Sequence, residues 1–416
     1  MTAKTVNVAI VGGGLMGREI AVAIQRWPAL IDHPVRPRLT AVCDINPAAL
    51  DWFDEIDTVT KKVTDYHDLL TDDSIDVIYV AVRHDLNEGI YVDVIESGKD
   101  LLAEKPFGID SAAAAAILDA TGSHPESFVR CSSEMPFYAG AQWAINYVLS
   151  GALGTITEAR NSFLHSSDLD QSKPIGWKRQ NIYCGNPGVM NDLGLHTWHV
   201  PLRLGWKPEL VYGVLQSIVT ERPGPDGQPV PCDTWDNAVL HSGSRHEGAL
   251  FPLTTETKRI DPGQKNSWEF EALGLNGGVR FRTKNPELVE VFAVSHVPGI
   301  GTEQIWQQLD VGSQSVWPLR PVRSSSRGSL IRSFRCGPYS SLSARACSGI
   351  VSALRRRPKR HSLIRSTTRR CSPTIGMRRS PRPEPARHEC SSAGARRARE
   401  GITKSGRRST LRASAG

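Results

Sequence analysis

Apolar and polar positions over the first 130 residues alternate between strand-like and helix-like spacing. Residues 6–11 form a short β-branched apolar run, and residues 18–27 carry Ile20, Ala21, Ala23 and Ile24 on one helical face. The other elements predicted here are strands at 39–43, 76–82 and 101–103 and a helix at 86–97. Buried strands that alternate with amphipathic helices are typical of a parallel sheet with helices on both faces. We therefore predict an α/β domain with a doubly wound parallel sheet at residues 1–130.

The pattern changes near residue 130. Two helices are predicted, at 136–149 and 192–204, but most of this part is strand-like. Its predicted strands lie at 156–163, 209–217, 237–241, 249–254, 268–273, 278–282, 289–294 and 304–311. Short turns such as 224–227 and 276–278 join consecutive strands, which favours an antiparallel sheet. We predict that residues 131–318 form an α+β substrate and catalytic domain with a largely antiparallel, open sheet.

Gly12, Gly14 and Gly17 fit the pattern G-x-G-x-x-G between the first strand and the first helix. The first permits a tight turn, the second lets the backbone approach a pyrophosphate, and the third allows close helix–strand packing. N–H groups at the start of the helix, including those of Leu15 and Met16, can bind phosphates at the positive end of the helix dipole. The motif predicts a Rossmann-type domain with a dinucleotide cofactor.

Asp44 closes the second predicted strand, where a carboxylate accepts hydrogen bonds from the adenosine ribose and repels a 2′-phosphate. The interval from the glycine loop exceeds the usual ~20 residues, and the proline-containing loop at 28–37 accounts for the excess. We assign Asp44 and the adjacent Ile45 to the cofactor site and expect NAD, with NADP as the second option. The alternative role for Asp44 is a cap of the following helix.

Several segments together carry a family resemblance. These are the glycine loop, the strand at 76–82, Glu96-Ser-Gly-Lys99 followed by Glu104-Lys105-Pro106, and Asp192-Leu-Gly-Leu-His196. In this order they resemble the Gfo/Idh/MocA family of NAD(P)-dependent oxidoreductases over residues 6–315. The resemblance implies a dehydrogenase that acts on CH–OH groups of sugars, inositols and related polyols. It also implies further cofactor contacts at Val82, Arg83, Asn87, Glu104, Lys105 and Pro106.

Two positions depart from the family pattern. After the strand at 76–82, members often have Pro and, four residues later, His, whereas this chain has Arg83 and Asn87. Arg83 restores a backbone N–H that Pro lacks, and Asn87 replaces an imidazole. The packing of a nicotinamide at this point is therefore open, as is whether His84 compensates.

Oxidation of a secondary alcohol requires a proton acceptor and a group that stabilises the developing alkoxide. His196 suits the first task, because an unperturbed imidazole has a pKa of about 6.5. Asp192, four residues earlier on the predicted helix, could orient it. Lys105 could stabilise the alkoxide. The resemblance implies that these three positions are catalytic.

Each catalytic assignment has a structural alternative. Lys105 could be a surface lysine, Asp192 an N-cap and His196 a core histidine. Residues 177–179, Trp-Lys-Arg, precede the site and either contact substrate hydroxyls or phosphate or belong to a solvated loop. We expect no metal site, because no further ligands stand at metal-site spacing around Asp192 and His196.

Charge is distributed unevenly along the 416 residues. Residues 1–319 carry a net charge of −15 and residues 320–416 a net charge of +22, and only 13 of the latter 97 residues are Leu, Ile, Val or Phe. Such a composition is typical of disorder. Residues 319–416 are either a cationic arm that binds nucleic acid or, as we favour, the product of a shifted reading frame, which would leave the second domain incomplete at its C-terminal end. Nucleic acid is then not an expected partner.

The remaining sequence features concern the cellular compartment, the cysteines and the partners of the protein. No apolar run is long enough to cross a membrane and the N-terminus lacks a signal-peptide pattern, so we expect a cytoplasmic protein. Eight scattered cysteines without a C-x-x-C pair indicate reduced thiols. The expected partners are a small sugar or polyol and, if the second domain is intact, a second copy, because the family's open sheets often pair face to face. The rival function is a noncatalytic dinucleotide-sensing or binding protein on the same scaffold, or an inactive truncated enzyme.

Overall fold

The computed structural model of the protein describes residues 4–29, 35–299 and 301–312. The basic segment predicted at 319–416 lies outside these residues. The described part contains a six-stranded sheet, an eight-stranded sheet and two-stranded hairpins. The first sheet precedes the second along the chain, as the sequence pattern predicts.

The six-stranded sheet is parallel throughout. Its strands are β1 (Lys4–Val11), β2 (Val35–Cys43), β3 (Lys61–Val63), β4 (Val77–Val80), β5 (Asp100–Ala103) and β6 (Val129–Cys131). They are ordered β3-β2-β1-β4-β5-β6. Because helices cover both faces, β4 and β5 are buried over their full length, which explains the continuous apolar runs that predicted them.

Four α-helices accompany this sheet: α1 (Leu15–Gln25), α2 (His67–Leu70), α3 (Asn87–Glu96) and α4 (Ser111–Ser123). The predicted apolar face of α1 is buried. α4 was not predicted, because its run of alanines shows no alternation of apolar and polar positions. Asp110 caps this helix by accepting a hydrogen bond from the N–H of Ala113 at 2.9 Å.

The second part of the chain begins with α5 (Ala139–Leu149) and also contains α6 (Asn181–Cys184) and α7 (Leu195–Arg203). Its strands are β7 (Ile156–Leu164), β8 (Pro208–Gln216), β9 (Glu221–Pro223), β10 (Pro229–Pro231), β11 (Asn237–His246), β12 (Ala249–Lys258), β13 (Ser267–Gly274), β14 (Gly277–Arg282), β15 (Leu288–Ala293), β16 (Ser295–Val297), β17 (Gly301–Glu303) and β18 (Gln307–Asp310). The predicted turn at 224–227 joins β9 to β10, and Asn276 lies in the turn between β13 and β14.

The eight-stranded sheet has the order β18-β15-β14-β13-β7-β12-β11-β8. All of its neighbouring strands are antiparallel except β7 and β12, which are parallel. This confirms the predicted α+β part with a largely antiparallel sheet. α5 and α7 pack on one face over a core that includes Trp206 and Trp268. A Cβ atom added to Gly140 of α5 would lie 2.4 Å from the ring of Phe281, so glycine permits this close packing.

Some predicted bounds differ from the structure. The helix predicted at 192–204 begins as a π-helical turn, Met190–Gly194, and continues as α7. The strand predicted at 304–311 is shorter in the structure, where β18 covers Gln307–Asp310. β6 ends at Cys131, beside the domain boundary predicted at residue 130, and the division into domains stays a prediction. Within the described ranges, no helix is long and apolar enough to span a membrane.

Candidate active site

The glycine loop joins β1 to α1 at the edge of the first sheet. Gly12 has a φ of +102°, and a Cβ atom added there would lie 2.2 Å from the carbonyl oxygen of Ala81. A Cβ atom at Gly17 would lie 2.0 Å from the carbonyl oxygen of Gly12. These two positions therefore require glycine for the turn and for the packing of α1 on the sheet.

The structure also tests whether a dinucleotide fits this loop. A Cβ atom at Gly14 would meet nothing within 4 Å, so the backbone there is open to a ligand. Gly14 is the N-cap residue of α1 and makes no side-chain cap, and Leu15 and Met16 of the first turn line a cavity. The N–H groups of this turn and the helix dipole suit a pyrophosphate. The residues present thus fit a dinucleotide cofactor.

Asp44 stands beside the glycine loop. Its Oδ2 accepts a hydrogen bond from the N–H of Gly13 at 2.7 Å, and its Oδ1 accepts one from the N–H of Asn46 at 2.8 Å. Asn46, rather than Asp44, caps the next helical turn. Asp44 and the highly exposed Ile45 both line the cavity. The carboxylate is thereby fixed at the place where a ribose is expected.

Lys105 follows β5 and points toward the second part of the chain. Its Nζ donates to Oδ1 of Asp192 at 2.6 Å and to the carbonyl oxygen of Asp192 at 2.8 Å. Its side chain is only 13% exposed, which excludes a surface role. The preceding Glu104 accepts a hydrogen bond from the hydroxyl of Tyr79 at 2.7 Å, and burial raises the pKa of Glu104. The Lys105–Pro106 peptide bond is cis.

Asp192 occupies the π-helical turn before α7, a local structure that is frequent at functional sites. Its Oδ1 also accepts a hydrogen bond from Nζ of Lys178 at 2.7 Å, and its Oδ2 lies 3.4 Å from Nη2 of Arg259. Burial raises the pKa of Asp192, but the charges of Lys105, Lys178 and Arg259 outweigh it and hold that pKa well below the ordinary value. One ionised carboxylate is therefore the shared counter-ion of three cations.

His196 lies in the first turn of α7. Its Nδ1 is 3.3 Å from Oγ of Ser133 and 4.0 Å from Oε2 of Glu134, and its ring makes an edge-on contact with Phe163. Burial, followed by the charge of Lys105, holds the pKa of His196 well below its ordinary value. The imidazole is therefore neutral near pH 7, as a proton acceptor must be.

The structure corrects the predicted partnership between Asp192 and His196. The carboxylate of Asp192 is engaged by cations, because a buried carboxylate gains more from full charges than from a neutral ring. Ser133 and Glu134 contact the imidazole instead. Asp192 lies inside the π-helical turn, whose N-cap residue is Val189, so it is not an N-cap either.

The two positions that depart from the family pattern have structural partners. Nδ2 of Asn87 donates to the carbonyl oxygen of Pro106 at 3.0 Å. Arg83 pairs with Asp85 at 2.6 Å and stacks on the ring of Tyr183. Asn87 therefore ties the start of α3 to the segment that carries Lys105.

A cavity of about 1320 Å³ connects these groups. The predicted site residues that line it are Gly12, Gly14, Leu15, Met16, Asp44, Ile45, Val82, Arg83, Glu104, Lys105, Asp192 and His196. Gly17, Asn87 and Pro106 do not line it and act through packing or hydrogen bonds. Within the described ranges, no group of three His, Cys, Asp or Glu residues is arranged to hold a metal ion.

The lining or contacting residues that were not predicted include Ser133, Glu134, His165 and Arg259. Ser133 and Glu134 follow β6, and the convergence of parallel strands at their carboxyl ends could have indicated them. His165 and Arg259 follow β7 and β12, and no motif marks them. Their position depends on the pairing of two strands separated by more than 80 residues.

Comparison with known proteins defines the class. Residues 6–128 match a family model described as an oxidoreductase family with an NAD-binding Rossmann fold. The chain is thus an oxidoreductase that uses a nicotinamide cofactor. The matching model is that of the Gfo/Idh/MocA family, which the motifs of the sequence resemble.

Several curated dehydrogenases and solved structures are similar to this chain. The levoglucosan dehydrogenase of Pseudarthrobacter phenanthrenivorans is 24% identical over 340 residues, covering 76% of this chain and 84% of the relative. An inositol 2-dehydrogenase/D-chiro-inositol 3-dehydrogenase of Lactiplantibacillus plantarum is 29% identical over 118 residues, covering 28% of this chain and 32% of the relative. A solved levoglucosan dehydrogenase in complex with NADH matches with a TM-score of 0.70 at 21% identity, covering 84% of this chain and 91% of that chain. This last likeness shows that the fold is shared.

Proposed function

We propose that the chain is an NAD-dependent dehydrogenase that oxidises a secondary alcohol of a sugar, an inositol or a related polyol. The observation that carries this proposal is the convergence of Lys105 and a neutral His196 on one cavity beside the glycine loop. Relatives named as levoglucosan and inositol dehydrogenases support the substrate class. In this proposal residues 1–130 bind the cofactor and residues 131–318 supply the substrate wall.

His196 is proposed as the proton acceptor. Its Nδ1 faces Ser133, so its Nε2 is the nitrogen left for the substrate hydroxyl. An imidazole that is neutral near pH 7 can take the hydroxyl proton, and nearby Glu134 can stabilise the imidazolium that results. Ser133 would thus orient the imidazole of His196 through Nδ1, while Nε2 accepts the proton of the substrate hydroxyl.

Lys105 is proposed to stabilise the alkoxide. Asp192 holds its ammonium group at the cavity wall through two hydrogen bonds. An ammonium group fixed in a partly buried site stabilises negative charge more strongly than a mobile one in water. NAD, when bound, supplies the acceptor for the hydride.

The proposal is tested by following the absorbance of reduced nicotinamide with a panel of sugars and polyols and with either cofactor. We expect reduction of NAD with at least one of them. We also expect kcat/KM to be at least about 10-fold lower with NADP, because the carboxylate of Asp44 repels a 2′-phosphate. Binding of NADH without reduction of NAD⁺ by any alcohol of the panel would favour the noncatalytic rival. Absence of NADH binding would contradict both functions.

We also propose that the chain self-associates through the open face of the eight-stranded sheet. Strand register places one row of side chains across this face: Tyr212, His241, Thr254, Arg160, Glu271, Arg280 and Glu290. The last four alternate in charge, so a second copy can set opposite charges against them. At the β8 end the row is apolar, with Tyr212 67% and Leu210 68% exposed. Exposed apolar edges of this kind favour association.

Tyr212→Lys is expected to reduce the mass of the particle in solution to that of a monomer, because it places a charge in the apolar end of the face. Light scattering coupled to size-exclusion chromatography measures this mass. Leu118→Lys is the matched control, since Leu118 is 62% exposed on α4 and lies in the other part of the chain. A monomeric parent chain, or a Tyr212→Lys variant of unchanged mass, would contradict the proposal.

A further inference from the structure

The cavity wall contributed by the second part of the chain carries more positive than negative side chains. Its cations are Lys173, Lys178, Arg179, Arg222 and Arg259. Its lining carboxylates are Glu134, Asp168 and Asp192, and Asp236 stands behind Arg179. This wall therefore has an excess of one positive charge where a substrate would lie.

Three of these cations are already bound to carboxylates or backbone carbonyl groups of the protein. Lys173 pairs with Asp168 at 3.0 Å, and Arg179 forms an ion pair with Asp236. Arg222 donates to the carbonyl oxygens of Asp168 and Asp170 and so holds the loop after β7 in place. The cations left to act on a substrate are Lys178 and Arg259.

Lys178 and Arg259 share their counter-ion with Lys105. Arg259 is 2% exposed; its Nη1 donates to the carbonyl oxygen of Lys178 at 2.7 Å, but its Nε and Nη2 donate no hydrogen bond. The Lys178 side chain is 43% exposed at the cavity wall. A buried guanidinium with unused N–H groups favours an added acceptor, and a carboxylate matches it best.

The other titratable groups at this end of the cavity do not cancel its excess positive charge. Burial lowers the pKa of His84 to about 3 and that of His165 to about 4, and His196 is likewise neutral. Arg83 and Asp85 form a pair. Glu104 is bonded to Tyr79 within the first part of the chain, and Glu134 lies on the Nδ1 side of His196.

We propose that the substrate is an anionic polyol, a sugar acid whose carboxylate binds Lys178 and Arg259 while a ring hydroxyl lies between Lys105 and His196. This inference rests on the proposed dehydrogenase function and narrows its substrate class. In the reaction the alcohol carbon gives a hydride to NAD⁺ and the hydroxyl gives its proton to His196. The products are a ketone, NADH and one proton, and the carboxylate is unchanged.

The test compares sugars that share one ring and differ in the group at C6: glucose, glucuronate and glucose 6-phosphate, and the same set for galactose. We expect kcat/KM for a uronate to exceed that for its neutral sugar by roughly 10- to 100-fold, the effect of one charge-assisted hydrogen bond. Lys178→Gln should remove most of this preference, because it lowers kcat/KM for the uronate more than kcat/KM for the neutral sugar. Lys61→Gln, which removes a lysine outside the cavity, is the control.

A second measurement separates this inference from the proposed function. Titration calorimetry with the NADH-loaded chain reports binding of each sugar whether or not it reacts, and the uronate is expected to bind more tightly than the neutral sugar. If the chain oxidised neutral sugars in preference to uronates, the sugar-acid inference would be wrong, but the dehydrogenase function would stand.

If glucose 6-phosphate were preferred over glucuronate, the inferred carboxylate of the substrate would be wrong. Equal loss for acid and neutral sugars in Lys178→Gln would show a general structural role. Tighter uronate binding without turnover of any sugar would contradict the dehydrogenase alone.

Discussion

His196→Ala is expected to lower kcat for alcohol oxidation by ~10²–10⁴, the usual contribution of a positioned proton-transfer group. The imidazole is neutral, lines the cavity and is oriented by Ser133, so its loss removes the proton acceptor. Affinity for NADH should be unchanged, because His196 lies on α7 and not on the glycine loop. Steady-state kinetics and quenching of NADH fluorescence measure the two effects. Lys105→Ala should lower kcat over the same range through loss of alkoxide stabilisation.

His199→Ala provides the matched control, since His199 lies one turn further along α7 and does not line the cavity. The pH profile gives an independent readout. Because the pKa of His196 is lowered, kcat/KM of the unsubstituted chain should stay level down to about pH 6.5 and fall only in more acidic solution. A full rate in His196→Ala, or an acid limb above that pH, would remove this residue from the mechanism.

Asp192→Ala is expected to lower the free energy of unfolding by about 3–5 kcal/mol, the typical result of removing one partner of a buried ion pair. Asp192 is ionised and is the carboxylate shared by Lys105, Lys178 and Arg259. Its removal leaves three cations close together with no counter-ion between them. Denaturant unfolding followed by tryptophan fluorescence measures the loss.

Glu209→Ala is the control for this loss. Glu209 pairs with Arg245 on the surface, and both side chains are 45% exposed or more, so its removal should cost less than about 1 kcal/mol. Asp192→Asn should be destabilised nearly as much as Asp192→Ala, because the charge rather than the volume is decisive. Equal stability of Asp192→Ala and Glu209→Ala would contradict the shared counter-ion.

Local pattern was sufficient to predict most of the fold. β4 and β5 are buried on both faces, so their sequences are continuously apolar, and the turns at 224–227 and 276–278 carry glycine in turn positions. α4 escaped prediction because alanine is compatible with both buried and exposed helical positions. The glycine loop was predictable since the positive φ of Gly12 and the close contact of Gly17 with Gly12 both arise within one strand–turn–helix unit.

The site was predictable only in part. Lys105, Asp192 and His196 were identified through short motifs, but their mutual contacts were not. Spacing of four residues suggested that Asp192 orients His196, whereas the π-helical turn and the cations drawn from β12 and the loop before α6 direct the carboxylate elsewhere. Helical spacing predicts which residues share a helix face, but it does not predict which side chains from other elements contact that face.

The order of strands and helices along the chain, the glycine turn and the candidates for the reacting side chains thus follow from the linear chain, because each depends on residues within a few positions of one another. Folding alone decides that Ser133 meets the imidazole, that Arg259 shares a carboxylate with two lysines, and that the substrate wall is positively charged. The contacts of Ser133 with His196 and of Lys105 and Arg259 with Asp192 join residues more than 60 positions apart, and only the pairing of distant strands and the packing of α7 bring them within bonding distance.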